Sequence, residues 1–145
     1  MAEVKYPLPV FHFSVEWSGT NLGFSEVSGL TIENQPIEYR DGLSPQYSSI
    51  KMAGIPKYSN ITLKRGIIAS DGEFFAWINA TALNKPDRRD LVISLLNEEH
   101  NPVMTWKVKN AWPVKLEGPG LKATGNEVAI ESIELAHEGL TIETA

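Results

Sequence analysis

Apolar residues fall at every second position in one segment of this chain after another, and that period commits most of it to extended strands. Phe11, Phe13, Val15 and Trp17 share one parity while His12, Ser14 and Glu16 take the other. Met104, Trp106 and Val108 alternate in the same way with Val103, Thr105 and Lys107. Successive side chains of a strand point to opposite faces, so such runs read as half-buried strands. Residues 24–30 (broken by Gly29), 31–39, 60–67, 90–96 and 127–137 are further strand candidates. Pro36 has no N–H to give a ladder, which predicts an edge or a bulge there. Residues 127–137 change phase between Val128 and Ile130 on one parity and Ile133 and Leu135 on the other. That predicts a bulge near Glu131-Ser132, or a strand that buries different faces at its two ends. Ser18-Gly19-Thr20-Asn21, Arg40-Asp41-Gly42 and Glu117-Gly118-Pro119-Gly120 read as turns. The polar stretch 97–102 predicts a hairpin between 90–96 and 103–110, with 111–114 continuing the second strand.

One segment breaks the pattern. Ser70 and Glu73 have capping-box spacing. Phe74, Trp77, Ile78 and Thr81 then follow at helical period, and Asn84-Lys85-Pro86 stops the helix. Residues 40–58 set Gly42, Pro45, Gly54 and Pro56 among Leu43, Ile50, Met52 and Ile55. A loop both long and apolar needs something to cover it. The expected fold is therefore mainly β: a single domain, an antiparallel β-sandwich or barrel with one flanking α-helix.

The residue types restrict function as well. The 145 residues carry 13 basic and 18 acidic side chains, a formal net charge of −5, which argues against general affinity for nucleic acid. The absence of cysteine excludes disulfides, thiolate metal sites and a cysteine nucleophile. The first residues show no basic segment followed by an apolar run, and no stretch approaches a membrane span, so synthesis in the cytoplasm without a signal peptide is expected. His12, Ser14 and Glu16 are hydrolase residue types, but on one strand they project in parallel about 7 Å apart and do not converge. Glu98-Glu99-His100 reads as a solvated turn rather than a ligand set, and His137 as a structural or exposed residue. No cofactor, metal or catalytic site is expected. Trp17, Trp77 and Trp106 read as core, and Trp112, before Pro113, as core or interface.

Specific strings go further. Phe24-Ser25-Glu26-Val27-Ser28-Gly29-Leu30, Tyr39-Arg40-Asp41-Gly42, the run from Lys51 to Gly66 (KMAGIPKYSNITLKRG), Phe75-Ala76-Trp77-Ile78, Ser94-Leu95-Leu96-Asn97 through Trp106 with Asn110-Ala111-Trp112-Pro113, and NEVAIESIEL from Asn126 to Leu135 occur in this order. Together they resemble the T4-type tail tube proteins of phages and contractile injection systems. The resemblance implies a self-assembling structural protein, not an enzyme: hexameric rings stacked into a hollow tube inside a contractile sheath. Its partners would be further copies of itself, the sheath protein, baseplate or spike and tube-terminating proteins, and cargo in the lumen, either a protein effector or phage DNA. Assembly into a phage tail or an extracellular particle follows.

On this reading residues 1–9 are an N-terminal arm, 40–58 an extended inter-subunit loop and 138–145 a C-terminal tail. Residues 39–58 become the main stacking element, with Tyr39, Arg40, Asp41, Gly42, Lys51, Met52, Gly54, Ile55, Pro56, Lys57 and Tyr58 at contacts. Lys51, Lys57, Lys64 and Arg65 would meet acidic groups on adjacent subunits. Lys64 and Arg65 also read as plain strand-end charges. The strings favour the phage-tail branch over a type VI secretion tube protein, and a monomeric carbohydrate-binding sandwich is the alternative of another class.

Overall fold

The computed structural model describes residues 6–17, 20–43, 49–68, 72–80 and 87–144. Among these residues ten strands and one helix follow in chain order: β1 (Phe13–Trp17), β2 (Thr20–Leu22), β3 (Glu26–Ser28), β4 (Ile32–Tyr39), β5 (Ile50–Tyr58), β6 (Ile61–Gly66), α1 (Glu73–Ala80), β7 (Arg89–Leu96), β8 (Pro102–Glu117), β9 (Ile130–Ala136) and β10 (Gly139–Thr144). Eight strands form one antiparallel sheet in the order β2-β1-β7-β8-β9-β6-β3, with β10 also on β8, while β4 and β5 make a separate two-stranded ribbon.

The long strand β8 lets one sheet act as two layers. Its first part pairs with β7 and β10, and from Trp112 onward it pairs with β9. Asn110, just before the change, has φ 51°, and its N–H donates to Asp90 Oδ1 at 2.9 Å. Val15, Trp17, Leu91, Ile93, Val108 and Leu140 from one layer meet Ile61, Leu63, Ile133 and Leu135 from the other in a single core. Phe74 and Trp77 of α1 complete it, and Trp77 lies 4.1 Å from the Trp17 ring. Burying a large apolar side chain of this kind stabilises by about 1.5–3 kcal/mol. The helix keeps Phe75 outside, as its period requires. Its cap at Ser70, the turn residues Ser18 and Gly19 and the stop at 84–86 lie outside the described residues.

The hairpin at 97–102 forms as expected. Asn97 Oδ1 accepts from the N–H groups of Glu99 (2.9 Å) and Asn101 (3.0 Å), adding to the backbone bonds from Asn97 N–H to the Asn101 carbonyl and from His100 N–H to the Asn97 carbonyl. Asn97→Ala is expected to cost about 1–2 kcal/mol of stability, two exposed hydrogen bonds at ordinary net worth, readable by urea unfolding. The irregularity predicted at Pro36 also forms, as a register shift between Asn34 and Pro36.

Four expectations need correction. Residues 50–58 are not loop but β5, in register with β4. Gly54 and Pro56 fit a two-stranded ribbon, because each strand has an open edge that asks no N–H of proline. A Cβ on Gly54 would meet the Gln35 carbonyl oxygen at 2.3 Å, so only glycine allows the strands to approach there. Residues 139–144 are not tail but β10, held by Leu140 in the core and by Lys107–Glu143 at 3.0 Å. No bulge interrupts β9: its pairing with β6 runs evenly from Gly66–Ile130 to Ile61–Leu135. Ile130, the first residue of β9, is half-buried on the Ser132–Glu134 side while Ile133 and Leu135 are buried on the other, so the two ends of the strand cover different faces, and the irregularity sits on β8 between Pro113 and Lys115. Finally, Phe11 precedes β1 and is exposed, because the alternation outruns the strand.

Candidate assembly surface

The β4–β5 ribbon stands away from the core. Every residue of β4 is exposed, and on β5 only Gly54 and Tyr58 are half-buried. Its register sorts the side chains into two faces. Directly opposed residues share a face, and so do residues two apart on one strand. The pairs Ile37–Met52 and Tyr39–Ile50 therefore form an apolar tetrad on one side of the outer half. Each of the four is between 51% and 60% exposed, and Ile55 beyond them is 83% exposed. The pair Glu38–Lys51 occupies the opposite side. Lone exposed apolar residues are ordinary, but a contiguous apolar face on a two-stranded ribbon marks an interaction site.

Of the thirteen residues expected at contacts, eleven lie on this ribbon or at its tip. Tyr39, Lys51, Met52, Gly54, Ile55, Pro56, Lys57 and Tyr58 are on the strands. Arg40, Asp41 and Gly42 follow β4, where Asp41 Oδ1 accepts from the Leu43 N–H at 3.1 Å. Residues 44–48 lie outside the described residues. Tyr58 is at the root, packed on the core and on the His137 ring at 5.5 Å.

The four basic residues each face an acid of their own chain. Lys51 is opposite Glu38 and Lys57 opposite Glu33 in the ribbon. Lys64 Nζ is 3.2 Å from Glu26. Arg65 departs most from expectation. It is 4% exposed, donates from Nε to Glu131 at 2.8 Å and lies 4.3 Å over the Phe74 ring. It is an interior brace, not a surface charge. Its parity, shared with Ile61 and Leu63, is the sequence signal for that placement.

A second uncovered apolar surface lies elsewhere. An open groove of about 550 Å³ runs between the segment before β1 and the sandwich, lined by Val10, Phe11, Phe13, Val27, Leu30 and Trp106 among others. The outer side of the β3-β6-β9-β8 layer is different again. Thr62, Lys64, Ser132 and Glu134 alternate there with the buried residues of β6 and β9, beside Lys115 and Glu117.

The residue types of a catalytic site do not come together. Ser14 is opposite Ser94 and Glu16 opposite Val92, while the His12 ring packs edge-on against His100 at 4.4 Å. Nothing in the sequence announces that meeting. Among the described residues no group of three or more His, Asp or Glu is placed to hold a metal. Trp17 and Trp77 are buried as expected, Trp106 packs partly against the core, and Trp112 is half-buried.

A β-sandwich with its core complete and an apolar β-arm left uncovered has the form of an assembly subunit. Comparison identifies the assembly: the T4-like virus tail tube protein gp19 family matches residues 9–141, and the chain belongs to that family of structural tube proteins. A chain in the structure of an extracellular contractile injection system, the PVC sheath–tube complex in its extended state, is 38% identical. It covers 98% of this chain and 95% of its own length, with TM-score 0.90. A chain of the anti-feeding prophage tube-terminating cap is also 38% identical, covers 100% and 96%, and superposes with TM-score 0.93. Hcp1 from Flavobacterium johnsoniae shares the fold at 12% identity, with TM-score 0.57 over 93% of this chain and 97% of that one. No curated protein matches the chain.

Proposed function

We propose that this chain is the inner tube subunit of a contractile injection particle, forming hexameric rings that stack into a hollow shaft. The uncovered apolar arm carries this reading. Arm and groove are different surfaces of one molecule, so a contact between them is head-to-tail and propagates instead of closing as a dimer. Tyr39, Met52 and Ile55 are stacking contacts, with Arg40, Asp41, Gly42, Pro56 and the mobile-length lysine side chains at 51 and 57 around them. Lys51, Lys57 and Lys64, already near acids of their own chain, set register across copies more than affinity.

The three-residue strand β3 is an open sheet edge, and closure across subunits would satisfy its free backbone groups. The polar outer side of the β3-β6-β9-β8 layer then faces the channel, where a wettable wall lets cargo pass without adhering. The partners are the contractile sheath, the baseplate or spike and a tube terminator, and the cargo is a protein effector or DNA. Structures of a sheath–tube complex, a terminating cap and a baseplate among the similar proteins support those partners. The 38% identity to injection-system chains favours that machine over a type VI secretion tube, which shares the fold alone. No helix among the described residues is long and apolar enough to cross a membrane.

Negative-stain electron microscopy with light scattering on the purified chain at high concentration tests the reading. Rings or stacked tubes are expected. A strict monomer, also in the presence of baseplate proteins, would return the chain to a monomeric binding role.

A further inference from the structure

At the root of the β4–β5 arm one side chain touches both the arm and the body. His137 follows β9, and its ring is half-buried. Nε2 lies 3.0 Å from the carbonyl oxygen of Ser59, the residue that follows β5. Nδ1 lies 3.2 Å from the carbonyl oxygen of Gly139, the first residue of β10. Both are hydrogen-bond distances for N–H to O. A carbonyl oxygen only accepts, so each ring nitrogen needs its own proton to make its bond. The neutral imidazole has one N–H and the imidazolium has two. The neutral ring therefore fills one of these contacts and sets a nitrogen lone pair against the other oxygen. The cation fills both, and the Tyr58 ring packs 5.5 Å away.

We propose that His137 is a proton-dependent pin that fixes the orientation of the arm on the body. Charged, it ties Ser59 and Gly139 together; neutral, it lets one of them go. The inference rests on the arm's role in stacking and adds a regulation of that surface. Among the described residues the ionisable neighbours are Tyr58 on β5, which packs on the ring, Glu138 next in the chain and Lys109 on β8, opposite Gly139. Glu138 is already engaged by Arg88 and by Asn110 Nδ2, each at 2.8 Å. Histidine is the side chain type whose charge ordinarily changes between about pH 5 and 8.

The position gives leverage. The chain entering the arm and the chain leaving it approach closely at Gly29 and Asn60, where a Cβ on Gly29 would meet the Asn60 carbonyl oxygen at 2.1 Å. Beyond that approach, the nine residues of β5 reach about 30 Å at ~3.4 Å per residue. A small shift at Ser59 becomes a large one at the tetrad.

The sign follows from the proton count. The pinned state binds one more proton than the released state, so pinning is complete at acid pH and weakens as pH rises. The fraction of wild type in tubes, measured by sedimentation and negative stain, is expected to fall roughly tenfold from about pH 5.5 to about pH 8. His137→Gln keeps one amide donor and takes up no proton, so its yield should lack that fall. His12 and His100 remain in both proteins and supply the background. Parallel pH profiles for wild type and H137Q would overturn the proposal.

A measurement on wild-type monomer separates this from a failure of the tube reading, and from a variant that does not fold. The backbone amide resonances of Tyr58, Ser59 and Gly139 should move with the His137 ring protons through one shared titration. Amides that ignore the ring would overturn the pin whether or not tubes form.

Discussion

Deleting residues 43–50 should leave a folded chain that makes no tubes. The deletion removes the chain between β4 and β5 from Leu43 onward and with it the Tyr39–Ile50 pair, while the core residues lie elsewhere. A sharper version changes one side chain. In the free chain the tetrad is about half exposed, so Met52→Asp puts a charge where water already reaches. Stability should move by no more than about 0.5 kcal/mol, the usual range for a surface change. Once stacked, the same aspartate would sit unpaired in an apolar contact, where a buried lone charge costs about 3–5 kcal/mol. The cost recurs in every copy of every ring. Critical concentration for assembly should therefore rise at least about a hundredfold, since each 1.4 kcal/mol is a factor of ten. Sedimentation across a concentration series, with a thermal melt of the same variant, reads both halves. Tubes of normal length from either variant would remove the arm from the stacking contact.

The arm shows where sequence reasoning is strong and where it fails. The β7–β8 hairpin and the helix were legible because their signals are local: alternation, a polar turn, an apolar face at helical period. Pro36 gave away the bulge because a missing N–H has no other remedy in a ladder. The strand β5 was hidden because Gly54 and Pro56 are breakers in a covered sheet but are tolerated in an exposed ribbon. Only the cross-strand distance at Gly54 reveals why glycine stands there. His137 was illegible for a different reason. Its partners are backbone carbonyls, 78 residues away at Ser59 and two away at Gly139, and a carbonyl carries no sequence signature. The same holds for the meeting of His12 with His100. Arg65 was legible in principle. Its place in the alternation Ile61, Leu63, Arg65 points inward, but the adjacent Lys64 invites reading the two as one exposed charge pair.

That inward arginine carries the largest expected effect on stability. Its guanidinium lies between Glu131 and the Phe74 face, and β6–β9 register sets Arg65 opposite Glu131. The two partners are not equally enclosed: Arg65 is 4% exposed and Glu131 18%. Removing the carboxylate takes the acceptor of Nε away from a buried cation. Breaking a buried pair in this way typically costs about 3–5 kcal/mol, and the remaining contacts of Arg65 place Glu131→Ala near the lower end, about 3 kcal/mol. Arg65→Met keeps the side-chain volume against Phe74 and leaves a carboxylate that water can partly reach, so about 1–2 kcal/mol is expected. Replacing both, as R65M with E131L, removes the desolvation penalty together with the attraction. The double variant should return to within about 1 kcal/mol of wild type. A small domain has only about 5–15 kcal/mol in total, so urea unfolding separates these cases easily. The decisive quantity is the coupling energy of the cycle. A coupling near zero, with E131A as stable as wild type, would mean that the backbone ladder and apolar packing hold β6 to β9 without the ion pair and that the arginine is incidental to the fold.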